Sequence, residues 1–395
     1  MNELNLNNHK NVTQEGKTTM SLNEKEKLIL ETIRENPFIA QQELANLIGL
    51  SRSATANLIS GLVKKDYLLG KAYVLNDEEP IICIGGANID RRYLVKDALV
   101  QGTSNNVQSR TNVGGVARNV AENLGRLEEK VMLFSVAGND AEWKMIESHS
   151  EHFMNIKAVD SIEGCPTGTF MEVIGVDGKM VLGLAEVDIF DKMTPDWINK
   201  HLSVLKRSKY IIIDLNCPKE TIEFLISFAV KYEVPIALLT VSVQRLSNLP
   251  SYLEGINVLI TKCSETEAHF NMIIKTDDDL KEAVEKWLNN GKGPEHVFVS
   301  KGSTKIAYGS QKDGVHIFNY SSEQNDHYNW GMNEAFCAGL VFNRLQDKSI
   351  TESIMIGLTN AYHTSQSLYV VRPNLSKSQL KNEYNGCLID KVFYE

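Results

Sequence analysis

Apolar and polar residues follow two different patterns along this chain. Over residues 21–76, apolar residues recur every three or four positions, which predicts three short helices followed by a hairpin. Over residues 81–395, short continuous apolar runs alternate with amphipathic helical segments. That alternation is typical of a mostly parallel sheet covered by helices on both faces. We therefore expect a small helical domain, a polar boundary ending in Pro80, and a large three-layer α/β/α domain.

The small domain has recognisable helix signals. Ser21 and Glu24 have the spacing of a capping box, so the first helix should begin there and end near Asn36. Gly49 can take the left-handed conformation that ends the second helix, and a third helix follows directly. A hairpin should occupy residues 67–75.

This order of elements is typical of a winged helix-turn-helix. The third helix would then face a DNA groove with its polar side chains, and Lys64 near its end would contact phosphate. The expected DNA-binding residues are Arg52, Ser53, Thr55, Asn57 and Lys64. Basic residues barely outnumber acidic ones in this domain, so DNA affinity should be modest without dimerisation, and a helical interaction module is the alternative.

Composition limits the remaining possibilities. The 395 residues carry a formal net charge of -9, so any contact with DNA must be local. The six cysteines have no metal-ligand spacing, and no apolar run is long enough to span a membrane. Residues 1–20 are polar and rich in asparagine, which predicts a flexible arm with Met20 as an alternative start. We expect a cytoplasmic protein without a bound metal cluster.

One part of the large domain departs from the α/β pattern. Residues 165–186 alternate in polarity around Asp177-Gly178, which predicts a tight hairpin. Together with strands at about residues 91–112, this hairpin should form a small β-lid over a ligand.

Two glycine-containing motifs predict a ligand site. Gly85-Gly86-Ala87-Asn88-Ile89-Asp90 follows an apolar strand, and the Asp90 carboxylate can accept hydrogen bonds from vicinal sugar hydroxyls. Gly114 and Gly115 open a helix whose first N–H groups are free, and Asn119 lies one turn into it. A plain turn with a capping side chain is the simpler alternative for each motif.

These motifs resemble those of the ribokinase-like (phosphofructokinase-B) family of carbohydrate kinases, over about residues 81–395. The stretches IGGANID, GGVARNVAENLGRL, DIFDKMTP, DLNCPKET and VRPNLS are most similar to those of pseudouridine kinases. The resemblance implies an ATP- and Mg²⁺-dependent kinase, often dimeric. It implies that the substrate is bound by Asn88, Asp90, Gly114, Gly115 and Asn119.

The same resemblance implies that the phosphoryl-transfer motif, Gly-Ala-Gly-Asp in the family, is represented here by Gly331, Met332, Asn333 and Glu334. Glu334 would be the general base, one methylene longer than aspartate. The implied nucleotide-binding residues are Glu267, Ser300, Gly302 and Asn360. Here too the chain departs from the family, with Ser264 in place of an asparagine and Trp330 in place of a threonine.

These departures from the family pattern all fall on the phosphoryl-transfer and nucleotide side of the implied site, and two functions are compatible with that. The first is a kinase that phosphorylates the primary hydroxyl of a ribosyl compound, such as a pseudouridine-like nucleoside or a sugar. The alternative is a catalytically impaired domain that senses a ligand and regulates transcription through the attached DNA-binding module. The arrangement of residues 331–334 distinguishes the two.

Overall fold

The structure is a computed structural model, and it describes residues 22–69, 79–320, 330–386 and 392–394. The chain divides into two compact units, Met1–Asp77 and Glu78–Glu395. Within the described ranges, no helix is both long and apolar enough to cross a membrane.

The small unit contains three helices, α1 (Glu24–Glu35), α2 (Gln41–Ile48) and α3 (Arg52–Lys64). Buried aliphatic side chains from all three helices form its core. Gly49 has φ 67° and ends α2 in the left-handed conformation, as the sequence predicts. The hairpin expected at residues 67–75 lies largely outside the described residues.

The start of α1 differs from the expectation. The capping box at this start is formed by Asn23 and Glu26: the Asn23 side chain accepts from the Glu26 N–H at 2.8 Å, and Glu26 accepts from the Asn23 N–H at 2.9 Å. Ser21, of the expected pair, lies outside the described residues. Both pairs have the required spacing. Glu26 forms the box because a residue outside α1 holds its carboxylate in place: Glu26 is buried and lies 2.7 Å from Lys65 Nζ.

The large unit alternates strands and helices. In chain order it contains β1 (Ile81–Ile84), β2 (Asn88–Val95), β3 (Val107–Gly114), α4 (Val116–Arg126), β4 (Val131–Ala137), α5 (Ala141–Ser150), β5 (Asn155–Ser161), β6 (Thr169–Ile174), β7 (Met180–Glu186), α6 (Pro195–Asn199), α7 (Leu202–Leu205), β8 (Tyr210–Asp214), α8 (Lys219–Tyr232), β9 (Ile236–Leu239), β10 (Val258–Lys262), α9 (Cys263–Phe270), α10 (Asp277–Leu288), β11 (His296–Lys301), β12 (Lys305–Ser310), β13 (Gly314–Tyr320), α11 (Met332–Arg344), α12 (Ile350–Ser365), α13 (Lys377–Gly386) and β14 (Val392–Tyr394).

Ten of these strands form one sheet in the order β14-β13-β12-β11-β10-β9-β8-β1-β4-β5. The seven neighbouring strands β11, β10, β9, β8, β1, β4 and β5 pair in parallel. Strands β12, β13 and β14 continue the sheet beyond β11 with antiparallel pairing. Alternate residues of β1 enter opposite cores: Ile81 and Cys83 pack with α4, α11 and α12, whereas Ile82 and Ile84 pack with α8 and α10. The sheet is therefore the middle layer of the three-layer α/β/α fold that the sequence predicts.

The second sheet has the order β3-β2-β6-β7 and forms a lid. Asp90 and Arg92 of β2 are register partners of Phe170 and Glu172 of β6. Because side chains two apart on a strand share a face, these four side chains form a two-by-two grid on one face of the lid. Strand β7 is an edge strand, exposed along its whole length.

One carboxylate joins the turns that lead into the lid and into α4. Asp214, at the end of β8, is fully buried and accepts from the N–H groups of Gly86 at 2.9 Å, Ala117 at 2.8 Å and Asn216 at 2.8 Å. A Cβ on Gly85 would lie 2.3 Å from this carboxylate. The glycine after β1 therefore allows Asp214 to fasten three chain segments together.

Substituting Asp214 tests this junction. In Asp214→Asn, the side chain keeps its size, but an NH₂ group replaces one carboxylate oxygen. That NH₂ group then faces one of the backbone N–H groups that the oxygen had accepted from. We expect the free energy of unfolding to fall by about 2–4 kcal/mol, because a buried donor is left without a partner. Chemical denaturation measures the change. Asp278→Asn, at an exposed position, is the control, and an equal loss in both variants would contradict the role of Asp214.

Candidate active site

A cavity of about 550 Å³ lies between the lid and the first turns of α4 and α11. It brings together residues that are distant in sequence. The lid contributes Asn88, Asp90, Arg92, Phe170 and Glu172; the two helix starts contribute Gly115, Asn119 and residues 330–334; the far side is lined by Lys262, Ser264, Ser300, Lys301 and Gly302. Nearly all residues that the sequence assigned to substrate binding and to phosphoryl transfer therefore line one cavity.

Asp90 lies at the lid side of this cavity. Its carboxylate accepts from the Asn88 side-chain amide at 2.7 Å. Burial raises the pKa of Asp90 to about 6, the charges of Glu172 and Glu334 add to the increase, and Arg92 and Asn88 oppose it. The other lone pairs of this carboxylate remain available for hydroxyl groups.

Gly114 does not line the cavity, in contrast to the expectation from the sequence. A Cβ at this position would lie 2.3 Å from the Asp90 carboxylate, so the glycine makes room for the Asp90 side chain. Gly115 does line the cavity. It has φ 100°, and a Cβ there would lie 2.3 Å from the carbonyl oxygen of Gly86.

The turn before α11 presents backbone donors and a carboxylate to the same cavity. Gly331 has φ 74°, and a Cβ there would lie 1.9 Å from the Val370 carbonyl oxygen. The first N–H groups of α11 have no carbonyl partner within the helix, so they can bind an anion. Met332, Asn333 and Glu334 follow directly and line the cavity.

Glu334 is coupled to both sides of the site. Burial raises its pKa, and this outweighs the lowering effects of the Lys262 charge and of hydrogen bonds from its own N–H and from Asn119. Asp90 and Glu334 also act on each other electrostatically. The cavity therefore contains two carboxylates, Asp90 and Glu334, each with an increased affinity for protons.

Sequence reasoning missed a cluster on the lid. Arg92 and Glu172 are buried and form an ion pair, with Arg92 Nε 2.7 Å from Glu172 Oε2. The Arg92 guanidinium lies over the Trp330 ring, 3.3 Å from its centroid. The available signal was the two-residue spacing of Asp90 and Arg92 on one predicted strand.

Lys262 is another residue that the sequence did not identify. It lies at the end of β10 and lines the cavity together with Lys301. Its Nζ is 3.5 Å from Glu265, a buried carboxylate that also accepts from the Thr240 hydroxyl. This side of the cavity is therefore cationic, as a phosphate-binding region requires.

Two residues expected at the nucleotide site lie elsewhere. Glu267 accepts from the N–H of Ile274 at 2.7 Å, which draws its carboxylate away from the cavity and into a loop. Asn360 is fully buried, donates to Asn123 and to the Ala335 carbonyl, and accepts from Arg372. It therefore fastens α12 to α4 and α11. Ser300 and Gly302 do line the cavity.

Four of the five expected DNA-binding side chains are exposed on α3: Arg52, Ser53, Asn57 and Lys64. Thr55 is the exception. It is fully buried, and its hydroxyl donates to the Ser51 carbonyl at 3.1 Å. Thr55 therefore packs inside the small unit and cannot reach a groove, because neighbouring residues enclose its side chain completely.

Comparison with known proteins assigns a family to each unit. Residues 78–371 match the pfkB family carbohydrate kinase model, and residues 22–68 match a winged helix-turn-helix DNA-binding model. The Escherichia coli (strain K12) protein named "Uncharacterized sugar kinase YeiI" is 28% identical over 356 residues, covering 90% of this chain and 97% of that protein. That match is longer than the large unit, so it includes part of the small unit.

Two further relatives resemble the large unit. Pseudouridine kinase of Escherichia coli (strain K12) is 22% identical over 303 residues, covering 76% of this chain and 95% of that protein. The structure of Arabidopsis thaliana ribokinase complexed with ribose and ATP superposes with a TM-score of 0.67 at 18% identity, covering 78% of this chain and 99% of that one. These matches confirm the ribokinase-like fold that the motifs predict.

Two of the cavity glycines with positive φ, Gly331 and Gly302, allow a matched test. In Gly331→Ala, the added methyl would overlap the Val370 carbonyl, so the turn before α11 must move. In Gly302→Ala, with φ 58° and open space around the Cβ, only backbone strain is added, which costs about 1 kcal/mol. We expect Gly331→Ala to lose about 3 kcal/mol or more in chemical denaturation. Equal losses would contradict this account of Gly331.

Proposed function

The chain belongs to the pfkB family of carbohydrate kinases and carries a winged helix-turn-helix segment, and on this basis we propose that it transfers a phosphoryl group from ATP to the primary hydroxyl of a ribosyl compound. The observation that carries the proposal is the presence of Glu334, at the free N-terminus of α11, in the same cavity as Asp90 and Asn119. Hydroxyl-binding groups, a proton acceptor and anion-binding N–H groups therefore meet in one space.

Charge favours a neutral acceptor. The lid contributes two carboxylates, Asp90 and Glu172, against one cation, Arg92, and Glu334 adds a third carboxylate from the start of α11, whereas the other cations of the lining, Arg245, Lys262 and Lys301, lie outside the lid. A sugar phosphate placed at the lid would meet a net negative field, which lowers its affinity. A free sugar or a nucleoside meets no such repulsion, and pseudouridine is our first candidate, because a pseudouridine kinase is among the relatives.

In the proposed reaction, Asp90 and Asn119 hold the ribosyl hydroxyls while Glu334 accepts the proton of the primary hydroxyl. The hydroxyl oxygen forms a bond to the γ-phosphorus as the bond from that phosphorus to the ADP oxygen breaks. N–H groups at the start of α11 stabilise charge on the phosphoryl oxygens. Because burial raises the pKa of Glu334, this base is lost at a higher pH than an exposed glutamate would be.

The cationic side of the cavity fits the phosphates of the nucleotide. Lys262 and Lys301 supply charge, and Ser264 and Ser300 supply hydroxyl groups. The described residues contain no cluster of three or more His, Cys, Asp or Glu side chains suited to a metal ion. Mg²⁺ would therefore arrive with the nucleotide, held mainly by phosphate oxygens and water, and its chemistry is charge neutralisation.

We further propose that the small unit binds DNA and that the protein is a homodimer that regulates transcription. Exposed Arg52 and Lys64 on α3 support DNA binding. Exposed apolar side chains on the edge strand β7, including Met180, Leu182 and Leu184, support pairing through the lid. A dimer would also compensate for the weak charge of a single small unit.

The catalytic proposal is tested with Glu334→Gln. We expect ADP release with a panel of nucleosides and sugars to fall by about 10²–10⁴-fold, because the amide cannot accept the hydroxyl proton. The acceptor-induced increase in melting temperature should persist, since Asp90 and Asn119 are unchanged. Coupled-enzyme kinetics and thermal denaturation measure the two effects.

Glu282→Gln, an exposed change on α10, is the control and should retain turnover. Full activity in Glu334→Gln would contradict the role of Glu334 as base. A wild-type protein that is stabilised by an acceptor but releases no ADP would instead support the ligand-sensing regulator. The replacement of the family's usual threonine by Trp330, next to the phosphoryl-transfer turn, makes this alternative worth testing.

The DNA-binding proposal is tested with Arg52→Ala and Lys64→Ala. We expect each variant to bind DNA from upstream of its own gene more weakly than wild type. Each phosphate contact that is lost should reduce the slope of log affinity against log salt by about 0.9. Fluorescence anisotropy at several salt concentrations measures both quantities. Lys27→Ala, a cation on α1 paired with Glu24, is the control. Equal effects in all three variants would contradict recognition by α3.

A further inference from the structure

The side-chain amide of Asn119 has a defined orientation. Its Oδ1 accepts from Arg118 Nη1 at 2.7 Å. An amide that directs its oxygen to a cation must direct its NH₂ group elsewhere, and Asn119 lines the same cavity as the Glu334 carboxylate. The donor end of Asn119 therefore faces the cavity and its carboxylate.

Arg118 is held firmly enough to impose that orientation. It is 1% exposed, and its guanidinium donates to the Val113 carbonyl, to the Ser150 hydroxyl at 3.3 Å and to the Glu122 carboxylate. These partners lie on β3, α4 and α5. A planar guanidinium with donors engaged in several directions cannot rotate without losing several bonds at once.

The need to neutralise the Glu122 charge does not by itself explain why a buried arginine occupies position 118. Glu122 is also paired with Arg126, whose Nη2 lies 2.7 Å away, and with His149 at 3.1 Å. The pKa of Glu122 is about 2, since hydrogen bonding to His149 and the charges of both arginines outweigh its burial. One arginine would already compensate one carboxylate. Of the bonds that Arg118 makes beyond Glu122, the one to Asn119 connects it to a residue that lines the cavity.

We propose that Arg118 is a positioning residue of the kinase site, which fixes the Asn119 amide so that its NH₂ end meets Glu334 and the acceptor hydroxyls. The inference rests on the proposed function. Without Arg118, the amide could turn its oxygen toward Glu334, where two acceptors would repel each other. Glu334 would then bind a proton more readily, and the acceptor would lose a donor.

The test uses Arg118→Lys in the full chain. Lysine retains a positive charge beside Glu122, but it lacks the planar set of guanidinium donors that bonds Glu122 and the Asn119 oxygen at the same time. We expect the KM for the acceptor to rise about tenfold, corresponding to one lost hydrogen bond to an acceptor hydroxyl, while the KM for ATP is unchanged. The acidic limb of kcat/KM should move to higher pH.

The acidic limb of kcat/KM reports the protonation of Glu334, whose charged neighbours are known. The charged and titratable groups that act on it are Asp90 from β2, Lys262 from the end of β10, Glu265 from α9 and Cys337 from α11. All four are unchanged in Arg118→Lys. A shift of the limb would therefore arise from Asn119.

Glu122→Gln is the matched control, because it weakens the same buried ion pair but leaves the bond from Arg118 to Asn119. We expect it to lower the melting temperature and to keep the acceptor KM within about twofold of wild type. In an Asn119→Ala background, Arg118→Lys should have no further effect on the acceptor KM. Equal KM changes in Arg118→Lys and Glu122→Gln, or additive effects in the Asn119→Ala background, would overturn the proposal.

The outcome remains decisive if the wild-type protein releases no ADP. The proposed function would then fail, and the same cycle of Arg118→Lys and Asn119→Ala would be measured on the denaturation midpoint and on calorimetric binding of pseudouridine and ribose. Non-additive midpoints would support the coupling of Arg118 to Asn119 in a binding site. Additive midpoints would overturn it.

Discussion

The site depends on the buried carboxylate of Asp214. Its oxygens bind backbone N–H groups of the turn after β1, of the first turn of α4 and of the segment after β8. Those turns carry Asn88 and Asp90 in one direction and Asn119 in another. Because the carboxylate is fully buried, each N–H bond must form if the charge is to be tolerated. The relative positions of Asn88, Asp90 and Asn119 therefore depend on one side chain that does not line the cavity.

Local signals predicted the architecture well, because they depend on neighbours in sequence. Apolar runs predicted the parallel strands, and the Gly178 turn predicted the hairpin of β6 and β7. Where the predictions were wrong, contacts between residues distant in sequence determined the outcome. Thr55 has a surface-like side chain but is buried, Asn360 bonds two other helices, and Lys65 favours Glu26 over Glu24 as the capping acid. Nothing in the local sequence around these residues specifies such contacts.

The site itself was half predictable. Short motifs identified Asp90, Asn119 and Glu334, since each follows a glycine turn at the end of a strand or at the start of a helix. Lys262 and the pair of Arg92 and Glu172 lack such markers. Their proximity arises from the register of β2 with β6 and from the position of β10 in the sheet order. The two halves of the cavity thus carry opposite charge for reasons visible only in three dimensions.

The stacking of Arg92 on Trp330 joins the lid to the turn that carries Gly331. Without Trp330, the buried Arg92 guanidinium loses its aromatic partner and keeps only its carboxylate neighbours, and without Arg92 the Trp330 ring borders a gap at the turn. Substitution at either position is therefore tolerated poorly unless the other changes with it. Among descendants of this chain, the two positions should evolve as a pair, although 238 residues separate them in sequence.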